Sequence, residues 1–197
     1  MTEVFLSYRG DDAYAVAGIR SSLAARFGSD RLFRDADSMI PGTAYPQAIR
    51  AALARCDILV AVIGPRWLSA TDGGGRRLVD RPHDWVRLEI AEALRRGIPL
   101  VPVLLDGAAL PEAAELPPDV LGLTRRQATW VRQRNLDEDT DRLADALSAL
   151  VPGLERLPAV PTGGPRHVQN NFASRGGTVY ASQRNMTVHD RPGRGAR

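Results

Sequence analysis

Residues 58–63 read Ile-Leu-Val-Ala-Val-Ile, six apolar side chains in succession, and Gly64-Pro65 stop the run. A strand that shows one face to water alternates apolar with polar residues, so a strand without a polar side chain is covered on both faces. Helices give that cover in parallel sheets, because parallel neighbours need crossover connections that lie across the sheet. This one run therefore directs the reading to an α/β fold and makes residues 58–63 its central strand.

The rest of the chain supplies the partners. Val4-Phe5-Leu6 and Ile98 to Leu105 have the same buried character, and Leu32-Phe33 is a shorter version. Asp11 or Asp12 is placed to cap a helix in which Val16, Ile19, Leu23 and Phe27 recur at helical spacing. A loop of turn formers from Asp35 to Thr43 precedes a helix over about Tyr45 to Arg55, with Ile49, Ala52, Leu53 and Cys56 on one face. The spacing predicts a third helix from Asp84 to Arg96, stopped by Gly97, and a last one from Asp137 to Leu150 with Leu143, Leu147 and Leu150 inward. Ala128 to Val131 reads as a short edge strand. Strands alternating with helices give βαβ units, hence a flavodoxin-like parallel sheet with helices on both faces, over residues 1–150.

Beyond Val151 the composition changes. Pro152, Pro158, Pro161, Gly163, Gly164 and Pro165 mark residues 151–166 as a linker, and the remainder shows no helical period and reads as largely disordered. The charge divides at the same place. Residues 161–197 hold six Arg and one Asp, a balance of +5, whereas the whole chain carries +3. Six Arg without interleaved base-stacking aromatics give little support to a nucleic-acid partner. The first residues lack the apolar segment of a signal peptide, and no apolar run approaches the ~20 residues that span a bilayer. The expected location is cytoplasmic, without a membrane partner.

Several chemistries are excluded by what is missing. All 26 basic residues are Arg, so no reaction that needs a Lys is available. A phosphoacceptor receiver needs an Asp at the end of the central strand, where this chain has Ile63-Gly64-Pro65. Strand one leads into Ser-Tyr-Arg-Gly-Asp-Asp, with no Gly-rich dinucleotide fingerprint, and no Walker A sequence or His/Cys zinc cluster occurs. The single cysteine, Cys56, reads as a small buried hydrophobe, Trp67 as packing under its loop and His83 as a surface residue.

Four segments nevertheless occur in a telling order. Val4-Phe-Leu-Ser-Tyr-Arg resembles the first signature box of TIR domains, and Phe33-Arg-Asp-Ala-Asp-Ser-Met-Ile-Pro-Gly resembles their BB loop. Cys56-Asp-Ile-Leu-Val-Ala-Val-Ile-Gly-Pro-Arg-Trp-Leu is similar to their third strand and the following turn. Asp84-Trp-Val-Arg-Leu-Glu-Ile is similar to the W-x-x-x-E element of TIR domains that hydrolyse NAD+. The resemblance implies a bacterial immune or anti-phage signalling enzyme that cleaves the nicotinamide–ribose bond of NAD+ and is activated by self-assembly. It implies Glu89 as the catalytic residue and Tyr8, Arg9, Phe33 and Trp85 as substrate-binding residues, with no metal and no cofactor. It also implies TIR–TIR contacts near Pro41-Gly42. Asp35 and Asp37 remain plain turn residues.

The chemistry suits a carboxylate. Nicotinamide leaves as a neutral amine, and the barrier is the oxocarbenium that develops on the ribose, which a fixed carboxylate stabilises. An adjacent indole can stack on an aromatic base or shield the cation. At about 100° per residue, Trp85 and Glu89 lie about 40° apart around their helix, off the apolar stripe of Val86, Ile90, Ala93 and Leu94. Spacing alone leaves Glu89 as a solvated helix-surface residue whose removal costs ~0.5 kcal/mol or less. A non-catalytic TIR adaptor stays open as the rival reading, and so does a synthase giving a cyclic ADP-ribose.

The tail holds a second pattern. Within residues 167–190, uncharged windows rich in Asn, Gln and β-formers are separated by the single residues Arg175 and Arg184. Such windows suit in-register cross-β stacking, with the arginines as gatekeepers. They resemble the amyloid-signalling motifs appended to bacterial immune effector domains, which implies an amyloid-motif-bearing receptor as partner. Residues 191–197 read as a basic disordered end.

Overall fold

The computed structural model describes residues 3–34 and 53–158. Within them the chain runs β1 (Val4–Ser7), α1 (Ala13–Phe27), β2 (Leu32–Arg34), β3 (Ile58–Ile63), α2 (Trp85–Arg96), β4 (Leu100–Leu104), β5 (Thr129–Trp130) and α3 (Leu136–Leu150). These five strands pair in parallel, in the order β2-β1-β3-β4-β5. The apolar run at 58–63 is the middle strand, and all six of its residues are buried. The flavodoxin-like α/β expectation holds, as do the edge strand near residue 129 and the stop at Gly97, which takes a left-handed φ of 68°. The helix expected over Tyr45 to Arg55 lies mostly outside the described residues, as do the Pro41-Gly42 loop tip and the whole tail from 159 onward.

Alternation along each strand sorts the core into two layers. Val4, Leu6, Val60, Val62, Val101 and Val103 face α1 and α3, packing with Ile19, Leu23, Leu143 and Leu147. Phe5, Leu59, Ala61, Ile63 and Leu104 face α2, packing with Val86, Ile90 and Ala93. The face on which a strand-end residue emerges therefore follows from its parity.

Two local expectations are corrected. Asp12 stands at the N-cap of α1, yet its carboxylate makes no capping bond and accepts from the backbone N–H of Gly64 instead. Leu150 is 50% exposed, because the chain turns at the end of α3 and brings Val151 and Leu154 into the core in its place. Those two buried residues carry the packed unit past Leu150, and Leu157 N–H donates to the Arg26 carbonyl at 2.6 Å. Among the described residues, no helix is long and apolar enough to cross a membrane.

One ion cluster ties the sheet edge to the last helix. Asp139 in the first turn of α3 has a fully buried side chain and accepts from the backbone N–H, Nε and Nη2 of Arg132, each at 2.9 Å, and from Arg142. The Arg132 hydrogen bond leads the effects that hold the Asp139 carboxyl far below the usual carboxylate range. A carboxyl lowered in the folded state contributes its full stability above its unfolded pKa of about 3.9, and that contribution is lost as the pH falls toward the folded value. Asp139→Asn is expected to lose about 2 kcal/mol at pH 7 and to flatten the decline in stability below about pH 4. Urea denaturation from pH 7 to pH 2 checks both; a variant with the wild-type acid slope would contradict this role.

Candidate functional site

In an open parallel sheet the ligand crevice lies outside the strand C-termini where the strand order reverses. Here that point falls between β1 and β3. A cleft of about 370 Å³ opens there, lined by Arg9, Gly10 and Asp11 after β1 and by Arg66, Ser69 and Thr71 after β3. Arg66 and Asp11 pair across it at 3.1 Å, both largely exposed, so the pair contributes little stability. Asp12 sits behind them, buried; desolvation and then the charge of Asp11 raise its carboxyl above the ordinary value.

Parity places Phe5, Ser7 and Arg9 on the α2 side. Ser7 is fully buried, and its Oγ donates to Glu89 Oε2 at 2.5 Å. Glu89 is 1% exposed. This overturns the expectation of a solvated flank: Glu89 stands beside Ile90 on the sheet-facing surface of α2, where the strand-end hydroxyl of Ser7 meets its carboxylate. Trp85, one turn earlier, is half-buried against the same apolar cluster.

Arg9 is buried too, at 6% exposure. Its Nε donates to the Trp67 carbonyl at 2.8 Å, and its guanidinium lies 5.2 Å from the centroid of the buried Trp67 ring. Nη1 and Nη2 fork onto the two carboxylate oxygens of Asp84 at 2.9 and 3.1 Å. Asp84 is the N-cap of α2 and accepts from the Arg87 backbone N–H at 3.0 Å. Among the described residues, the buried Trp67 indole Nε1 has no hydrogen-bond partner.

Tyr8 emerges on the opposite face, half-buried against the α1 cluster. Phe33 pairs with Phe5 in the β1–β2 register, and its side chain lies outside the described residues. The structure thus brings Glu89, Trp85 and Arg9 to one side of the sheet and Tyr8 to the other. Sequence reasoning missed Ser7 and Asp84. The period-2 alternation that places Phe5 inward also places Ser7 inward, so Ser7 had a signal. The Arg9–Asp84 pair spans 75 residues of sequence and had none.

Cys56 is half-buried against the cluster that faces α2. Desolvation pushes its thiol up to about 12, and Sγ donates to the Ile58 carbonyl at 2.9 Å, as suits an inert small hydrophobe. His83 is exposed.

The family model for the TIR domain matches residues 4–148. The chain belongs to the TIR domain family. Among solved structures, this TIR domain is similar to the TIR domains of the activated Roq1 resistosome directly recognizing the pathogen effector XopQ, with a TM-score of 0.52. That match has 14% identity and covers 74% of this chain and 98% of the other, which shows a shared fold. A metazoan TIR-STING receptor from C. gigas also matches, in complex with 2',3'-cGAMP at 20% identity and TM-score 0.42, and in a second structure at 21% and 0.40. Both matches cover 70% of this chain and 38% of the receptor. Comparison with curated proteins finds no match.

Proposed function

We propose that this TIR domain cleaves NAD+ at the nicotinamide–ribose bond, with Glu89 as its catalytic carboxylate. The observation that carries the reading is the buried carboxylate itself, held by Ser7 Oγ on the face of α2 that packs toward the ligand end of β1. A carboxylate fixed in place by the protein stabilises, by its charge, the oxocarbenium formed as nicotinamide departs. The C1′–N bond breaks with its electron pair going to nicotinamide. Water then attacks C1′ and gives up a proton to yield ADP-ribose, or a group of the same molecule attacks to yield a cyclic product. Trp85 is assigned to the nicotinamide or ribose face. Tyr8 and Phe33 are assigned to the substrate on the family resemblance alone.

Glu89 must be uncovered for this to happen, since 1% exposure leaves no room for a ribose beside it. The same observation favours the second reading, a non-catalytic adaptor that works through TIR–TIR contacts. Self-association reconciles the two if contact between copies opens the site. The related Roq1 TIR domains belong to an activated resistosome, which supports assembly as the trigger. The tail at 167–190, outside the described residues, is proposed to nucleate that assembly with an amyloid-motif-bearing receptor in bacterial immune signalling.

Incubating the full chain with NAD+ and separating the products by chromatography tests the proposal. Nicotinamide is expected together with ADP-ribose or its cyclic form, with a rate per molecule that rises with protein concentration. NAD+ left intact at high protein concentration, with the tail assembled, would establish the adaptor.

A further inference from the structure

We infer that Arg9 is a positioning residue, which sets the placement of Glu89 through Asp84 rather than by holding the substrate. The inference rests on the reading of Glu89 as the catalytic carboxylate. Three of the five N–H donors of Arg9 are engaged within the protein, one on the Trp67 carbonyl and two on Asp84, and the side chain is 6% exposed. A guanidinium so occupied is oriented by the protein itself.

The partner explains the arrangement. Asp84 Oδ2 accepts from Arg9 Nη2 at 3.1 Å and also from the Arg87 backbone N–H at 3.0 Å, the bond that starts α2. One oxygen thereby links the end of β1 to the first turn of the helix. Glu89 lies five residues beyond Asp84, and Ser7 lies two residues before Arg9. The same two elements therefore meet twice, at Arg9–Asp84 and at Ser7–Glu89. Two contacts between a strand end and a helix fix the rotation of that helix, whereas one leaves it free to turn about the contact.

Trp67 holds the other end of the clamp. Its carbonyl accepts from Arg9 Nε, and its ring lies beneath the guanidinium, so the planar fork is fixed in orientation as well as position. Lysine can supply the charge at position 9 but not the fork or the stacked plane. Asparagine at position 84 can still cap the helix but cannot form the ion pair. These two substitutions separate positioning from folding.

The experiment compares Arg9→Lys, Asp84→Asn and the double variant in the full chain, with circular dichroism confirming that each is folded. A small misplacement of a reacting group costs up to about a hundredfold in rate. Each single variant is expected to lower kcat between about tenfold and a hundredfold with KM within about twofold, and the double variant to be no worse than the lower single. In protein labelled with 13C at glutamate carboxyls, the Glu89 resonance is assigned by its loss in Glu89→Gln. It is expected to shift in all three variants. A raised KM with unchanged kcat in Arg9→Lys, beside a silent Asp84→Asn, would make Arg9 a substrate contact and overturn the inference. If the wild-type chain does not cleave NAD+, the catalytic reading of Glu89 falls by itself. The Glu89 resonance still decides the positioning role, and an unmoved signal overturns it.

Discussion

Glu89→Gln is expected to reduce NAD+ consumption by about a thousandfold or more while the protein stays folded. Glutamine fills the same volume and keeps an oxygen that can accept from Ser7 Oγ, so the 2.5 Å contact has a neutral replacement. What the substitution removes is the negative charge that the proposed mechanism sets against the developing oxocarbenium, and preorganised electrostatic stabilisation is commonly the largest single contribution to such a rate. Glu89→Ala should behave differently in one respect. It leaves the buried hydroxyl of Ser7 without its acceptor, at about 1–3 kcal/mol, well above the surface-residue cost implied by helix spacing. NAD+ disappearance followed beside thermal melting measures both effects. A folded Glu89→Gln protein that turns over NAD+ at the wild-type rate would remove Glu89 from the mechanism.

Gly64→Ala is expected to destabilise the protein by about 3 kcal/mol, the upper end of the usual cost of overpacking. A Cβ at residue 64 would stand 1.9 Å from Asp12 Oδ1, 2.4 Å from Cγ and 2.6 Å from Oδ2. The whole carboxyl group is in the way, and a short side chain cannot swing clear without giving up its bond to the Gly64 N–H. For a chain of this size the melting temperature should fall by roughly 6–12 °C. The cause is specific, so its relief is too: in an Asp12→Ala background the same glycine substitution should cost much less, and a double-mutant cycle reads the difference. A Gly64→Ala protein that melts with the wild type would show that the turn after β3 yields freely. The consequence reaches function, because this turn and the Gly10–Asp12 segment form the two walls of the cleft.

Much of the architecture was legible in the residues. The unbroken apolar run at 58–63 required cover on both faces, the spacing of Val16, Ile19, Leu23 and Phe27 required a helix, and Gly97 ended another. These are local statements, set by backbone geometry and by the periods of 2 and 3.6 with which side chains leave a strand or a helix. The last helix shows where local pattern fails. Leu150 continues the spacing of Leu143 and Leu147, yet Val151 and Leu154 take the core position that the spacing assigns to it.

For the candidate site, sequence alone determined the cast: a carboxylate at 89 with an indole at 85, an arginine after strand one, and the family to which they belong. Tertiary structure decided who meets whom. Glu89 finds Ser7 across 82 residues, Arg9 finds Asp84 across 75, and Asp12 lies against Gly64. The physical reason is that helical spacing gives the angle between two side chains on one helix but not the rotation of that helix against the sheet. That rotation is set by contacts between elements distant in the chain, and here it turned Glu89 from the solvent to the sheet.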